Sequence, residues 1–451
     1  MKQSRRILNI IIFAAVAFAP VLAYSQDTTA VKNLSLREAI DLSIKNSKQL
    51  RASKARIEEA EGALREAKDN QLPGASISGS YLRLTSPTIA LKTKAFGGGA
   101  SDTSGGGGSS GSINQAVYGS LNVSLPLFAG GKIRYGIESA KYLRQAATLD
   151  AENDRQAVIL NTINAYINLY KARVTLDVVK ANLQQSMQRD SVLSRLEQNG
   201  LLARNDLLKS QLQTSNIELS VLDAENNLKI ANVNMNLMLG LPERTLLNTD
   251  STGFDQPLNN KTLEDYEQSA LQNRKDVQAL SFRHKAATTA ISATKAEMLP
   301  SVALTGGYIA ADVPHFISIT NAATFGVGIK YDIGSLWKTR SKVIQAQARE
   351  KEIEANEALL DDAIRLSINQ NYENYLLSDK KIEVYQQAVE QATENYRITK
   401  NKYDNNLVNT TDLLDANVAL LQAQINLAVG KADVVLAYNK LLESAGLITT
   451  N

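Results

Sequence analysis

The chain has no cysteine and only two histidines among its 451 residues. That excludes disulfides, zinc–thiolate sites, a thiol nucleophile and lipid attachment through an N-terminal cysteine. His284 sits in a helical pattern without a partner at metal-ligand spacing, and His315 sits between strand patterns. Neither His-Glu-x-x-His nor Gly-x-Ser-x-Gly occurs, so the chain reads as non-enzymatic, with no cofactor or metal. A dominant charge is also missing. The net value of +3 argues against a nucleic-acid surface. Proline is scarce, and none falls between Gly131 and Asn199 or between Ser341 and Asn405. Beyond the N-terminus no apolar run is long enough for a membrane helix, so any membrane must be crossed by strands.

What is present begins with a secretory signal. Lys2, Arg5 and Arg6 precede the apolar run Ile7 to Ala19, and Ala23-Tyr24-Ser25 places small residues at a cleavage site, giving residues 1–25 as the signal peptide. The mature chain is a tandem duplication. Leu36 matches Leu263, Asn46 matches Asn273, Pro73 matches Pro300 and Tyr81 matches Tyr308, each 227 positions apart. The first repeat is read as 26–240, a linker as 241–262 and the second repeat as 263–451.

Each repeat has the same order. A helical pattern ends at a proline. Two stretches of period-two alternation follow, expected as strands near 75–84 and 116–126 in the first repeat, and near 301–311 and 324–333 in the second. Their length of about ten residues suits a tilted transmembrane strand. In the first repeat the strands are separated by the glycine–serine stretch Lys92 to Gly111, expected as a flexible loop without phosphate-binding character. Then come helical hairpins over 131–240 and 338–446. Val158, Tyr166, Leu169, Leu176, Val179 and Leu183 in one, and Ile382, Tyr385, Val389, Ala392, Tyr396, Thr399 and Tyr403 in the other, step by three and four as in a coiled coil. Helices of that length reach about 100 Å. The hairpin tips are expected near 200 and 406, where Asn199-Gly200-Leu201 and Asn405-Asn406-Leu407 interrupt the pattern. Asp206-Leu207-Leu208 and Asp412-Leu413-Leu414 restart it.

Four strands cannot close a membrane barrel, so other copies must complete it. At this point the motif Leu125-Pro126-Leu127-Phe128-Ala129-Gly130-Gly131-Lys132, the paired tips and the duplicated order resemble the TolC-type outer-membrane efflux proteins. The resemblance runs from about Leu36 to Leu447. It implies a mixed membrane fold: a trimeric, twelve-stranded β-barrel with four strands per chain, continued by a long α-helical coiled-coil tunnel in the periplasm of a Gram-negative cell. It implies an exit duct in the outer membrane for a tripartite pump, partnered by a periplasmic adaptor, an inner-membrane transporter and outer-membrane lipid. A type I secretion channel is the alternative within the class, and a coiled-coil adhesin or stalk the alternative outside it.

By the same resemblance, Asp412 and Asp415, one helical turn apart, with Asp206, line a pore constriction. Tyr403 and Asp206 link the two hairpins at the gate, and the two tip triplets dock the adaptor. Val408 stands where the prototype has a further linking arginine, which leaves Arg204 as a candidate substitute. Asp206 and Asp412 are equally placed to cap their helices, and Tyr403 to be core. Phe128 and Trp337 fit either an interfacial aromatic belt or packing at the barrel rim.

Overall fold

A computed structural model describes residues 31–83, 85, 115–250, 261–314, 317–405 and 407–448. The signal peptide, the glycine–serine loop, His315 and Asn406 lie outside the described residues. In chain order the elements are β1 Val31–Leu34, α1 Leu36–Asn46, α2 Lys48–Asp69, β2 Gly74–Arg83, β3 Gln115–Phe128, α3 Lys132–Gln198 and α4 Arg204–Leu239. The second half follows with β4 Leu246–Thr249, α5 Leu263–Asn273, α6 Lys275–Lys295, a single 3₁₀ turn, β5 Ser301–Val313, β6 Ile317–Lys330, α7 Ser335–Asp404 and α8 Thr410–Ser444.

The duplication is repeated in the cap chemistry. Ser35 caps α1 and Thr262 caps α5, each accepting a backbone N–H three residues on. Gly240 and Gly446 follow the return helices with φ of +69°, the left-handed C-terminal stop. Each of these glycines packs on the last turn of the short helix of its own repeat, Gly240 against Asn46 and Gly446 against Asn273 and Arg274.

The four long strands form one antiparallel sheet in the order β2-β3-β5-β6. Residues directly opposite one another share a face. Ile77 pairs with Leu121, Leu121 with Tyr308, and Tyr308 with Ala323. The pairs Leu125–Leu304 and Leu304–Val327 extend the same apolar face. It is fully uncovered at β6, where Phe325 is 94% exposed. The opposite face carries Ser78, Ser120 and Asn122, joined by hydroxyl and amide hydrogen bonds of 2.8 and 3.1 Å. β6 begins at Ile317, earlier than the alternation starting at Thr324 indicated. The reason is that Ser318 and Ile319 extend the ladder to Asp312 and Ala311 past an irregularity near Ile309. β3 runs through Pro126, with the register shifting between Pro126 and Phe128 as it must where the ladder loses a donor.

The turn from β3 into α3 explains the Gly130-Gly131 pair. Gly130 has φ of +63°, and a Cβ there would lie 2.7 Å from the carbonyl oxygen of Ala296. Nearby, Glu297 accepts from Lys132 and Lys342, each at 2.7 Å, tying the start of α3 to the third turn of α7 below the sheet. Phe128 and Trp337 stand at the two strand–helix junctions and are exposed.

α3 and α7 run the length of the helical part, 67 and 70 residues. In the upper part the wall is α2-α3-α6-α7, and in the lower part α4-α3-α8-α7. The apolar faces read from the sequence are the packed ones. Val158, Tyr166, Leu169, Leu176 and Val179 are buried, whereas the α7 stripe from Ile382 to Tyr403 is half-buried within one chain. At mid-height β1 pairs in parallel with β4, a small sheet that the sequence did not announce. The fully buried Tyr166 donates to the Leu34 carbonyl at 2.8 Å and accepts from the Asp250 N–H at 3.1 Å, fastening that sheet to α3. Burial pushes its phenol up to about 12.

The expectation of no second apolar span needs one correction. Among the described residues Thr410–Ser444 is long and apolar enough to cross a membrane by length and composition. Its composition follows from packing, since α8 lies against both α3 and α7 and contributes Ala432, Val434, Val435 and Leu441 to two apolar clusters.

Candidate functional site at the hairpin tips

The two tips are built alike. At the first, Leu201 N–H donates to the Leu196 carbonyl at 2.8 Å and Gly200 N–H to Glu197 at 2.9 Å, with Gly200 at φ +71°. This is the paired closure that ends helices on a left-handed residue. At the second, Leu407 N–H donates to the Lys402 carbonyl at 2.8 Å, the same five-residue step. The side-chain amides of Asn199 and Asn405 each donate to the carbonyl four residues back at 2.7 Å. Beyond both turns an apolar side chain projects into solvent: Leu201 is 74% and Leu407 73% exposed.

The return helices start differently. Asn409 caps α8, accepting from Asp412 N–H at 2.9 Å, while the Asp412 carboxylate accepts from Asn409 N–H at 3.3 Å. Asp412 is thus the third residue of a capping box, not the cap. Asp206 occupies the equivalent position of α4, but the cap there is Ala203, which offers no side-chain oxygen. Its carboxylate lies 3.5 Å from Lys209 instead. Asp412 and Asp415 are both exposed, one turn apart on α8.

Between the tips lies a cleft of about 670 Å³. Asp206, Tyr403 and Val408 line it, whereas Asp412 and Asp415, expected at the constriction, are not among its lining residues. Within one chain the Tyr403 hydroxyl accepts from Thr410 Oγ1 at 3.4 Å. Arg204 does not cross to the second hairpin. It pairs with Glu197 on its own tip at 3.4 Å and is otherwise exposed. The cations that line the cleft are Lys400 and Arg189, and Arg189 Nε donates to Ser210 at 3.2 Å. Tyr403 and Tyr396 are among the groups acting on its charge, and burial holds its guanidinium below the usual range. The sequence marked Arg189 only by spacing, three residues after Ser186 on the packed face of α3.

His284 also gains partners that spacing did not reveal. Its ring nitrogens meet Glu357 and Glu350 of α7, each at 3.1 Å. Both glutamates come from a neighbouring helix, which linear spacing within α6 could not show.

The sequence matches the Outer membrane efflux protein family over residues 39–241 and 267–447. It is 25% identical over 326 residues to Outer membrane protein TolC of Vibrio cholerae, covering 68% of this chain and 72% of that protein. The identity to TolC of Escherichia coli K12 is 25% over 332 residues, covering 66% and 63%. The aligned part therefore spans about two thirds of these relatives' length. Among solved structures the fold is similar to the outer membrane protein VceC of Vibrio cholerae. The TM-score is 0.73 at 19% identity, over 91% of this chain and 96% of that one. With a family match across both repeats, the chain belongs to the outer membrane efflux protein family and is an exit duct of the outer membrane, its long helices lying in the periplasm.

Proposed function

We propose that three copies of this chain form a closed twelve-stranded barrel over a helical tunnel, and that the tips form its periplasmic gate. One observation carries the reading. A four-stranded sheet with an uncovered apolar face and two edges, β2 and β6, stands above helices of 67 and 70 residues. Open edges are not tolerated in lipid, so further copies must pair β6 with β2. The helices below repeat the demand. On α4, Leu208, Leu212, Leu219, Leu222, Ile230 and Val233 are exposed at heptad-like spacing, a seam with no partner among the described residues.

The tips would then meet near the three-fold axis. Asp412 and Asp415, exposed on one face of α8, would supply six carboxylates to a ring that favours cations. The exposed Leu201 and Leu407 offer two matched apolar knobs to the helices of a periplasmic adaptor. That adaptor delivers small molecules from an inner-membrane transporter.

The test is conductance in planar bilayers. Wild type is expected to show small, cation-selective openings. Asp412→Ala with Asp415→Ala is expected to raise conductance and lower cation preference. Unchanged selectivity would place the constriction elsewhere, and the absence of any channel from folded, oligomeric protein would overturn the duct itself.

A further inference from the structure

The face of α3 that packs against the second hairpin changes character above the tip. Higher up it presents Ile159, Ile163 and Ile167, which pack with Ala432 and Val435 of α8. Lower on α3, at steps of four and three residues, come Asn182, Ser186 and Arg189, before Leu193 restores the apolar pattern. Asn182 is 8% exposed and Ser186 is fully buried. Across from them on α8, Asn417 is 1% exposed. The two amides meet through one long hydrogen bond of 3.3 Å, from Asn182 Nδ2 to Asn417 Oδ1.

That bond satisfies half of each amide. Asn182 Oδ1, Asn417 Nδ2, Ser186 Oγ and both terminal nitrogens of Arg189 are buried without a hydrogen-bond partner among the described residues. They make up five of the ten such side-chain atoms found there. A well-packed apolar contact would be more stable than this one, because each unsatisfied buried polar group retains its desolvation penalty. The weakness is local. The apolar clusters higher on α3, α4 and α8 have no such concentration.

From these observations we infer that Asn182, Ser186, Arg189 and Asn417 form a slip plane, a deliberately weak polar contact along which the lower end of α8 parts from α3 when the gate opens. The inference rests on the reading that the tips form the closed end of the duct. The plane lies roughly 15–25 Å above the first tip, at 1.5 Å per residue of α3. Parting the helices there admits water to all four side chains and removes the penalty that packing imposes. The closed state is therefore not over-stabilised, and the segment of α8 carrying Asp412 and Asp415 can move without unfolding either hairpin.

Filling a slip plane should have an effect of unusual sign. Asn182→Leu with Asn417→Leu fills the contact with apolar surface and is expected to leave the thermal unfolding midpoint equal or higher. In planar bilayers its open fraction should fall about tenfold, the factor set by ~1.4 kcal/mol of added closed-state stability. Ser186→Ala removes one unsatisfied hydroxyl without adding bulk and should shift both readings in the same direction by less. It decides the matter if the leucine pair does not assemble. In the opposite sense, Ile425→Asn extends the polar stretch of α8 upward from Asn417, at the point where α8 packs on the Leu176–Val179 cluster, and should raise the open fraction. A lower midpoint with wild-type gating would make the amides ordinary core polar groups and overturn the slip plane. So would gating unchanged in all three variants while wild type conducts. Absent conductance in every version would instead overturn the duct reading on which the inference stands.

Discussion

The His284 clasp gives a prediction whose sign follows from the structure. A single imidazole stands between Glu350 and Glu357 of α7, with both ring nitrogens 3.1 Å from a carboxylate oxygen. Two carboxylates can be satisfied together only if both nitrogens carry protons, which is the imidazolium form. The hydrogen bond to Glu350 is the leading cause that holds the His284 pKa above its ordinary value, with Glu357 adding to it and partial burial opposing it. A raised folded-state pKa means that the clasp stabilises fully below the ordinary histidine range. That contribution is lost as pH rises through the raised value. The side chains are about a third exposed or less, so solvent screens the pairs. Two such pairs contribute about 1 kcal/mol together. In a chain of this size that corresponds to a midpoint shift of about 1–2 °C.

The perturbation is His284→Gln, which keeps a hydrogen-bonding side chain and removes the charge and the titration. Thermal unfolding of wild type and variant should be compared at pH 5.5 and pH 9. Wild type should lead at pH 5.5, and the lead should disappear at pH 9. An equal difference at both values, or a lead that grows with pH, would refute the clasp. The first repeat supplies an internal control: the positions equivalent to the three partners are Ile57, Arg144 and Ala151, so no clasp of this composition exists there.

Two further outcomes follow from the packing. Tyr166→Phe strands the Leu34 carbonyl and the Asp250 N–H at mid-height and should destabilise the chain by about 1–3 kcal/mol, read as a lower unfolding midpoint. Phe325→Arg places a charge on the uncovered apolar face of β6. It should cost roughly 2–4 kcal/mol where that position lies near the membrane midplane, and should reduce the amount of assembled protein recovered from membranes.

The sequence alone determined the duplication, the strand and helix order and the family. These depend on local periodicity and on spacing along the chain. Alternation at Val117 to Leu125 marks a strand, steps of three and four from Ile382 to Tyr403 mark a helix face, and Gly200 marks a turn. The resemblance to the family then singled out Asp206, Asp412, Asp415, Tyr403 and both tips. The roles of neighbours were set elsewhere. Asn409 proved to be the cap and Asp412 its reciprocal partner, because the cap depends on the backbone angle at which the chain enters α8. Arg204 stayed on its own tip while Arg189 entered the cleft, since only the packing of α3 against the second hairpin decides which cation faces inward. The pairing of β1 with β4 and the meeting of His284 with two glutamates likewise join residues far apart in the chain. Short strands and single side chains carry no period of their own. Their partners are chosen by tertiary structure, which brings distant segments within bonding distance and then buries or exposes what it has joined.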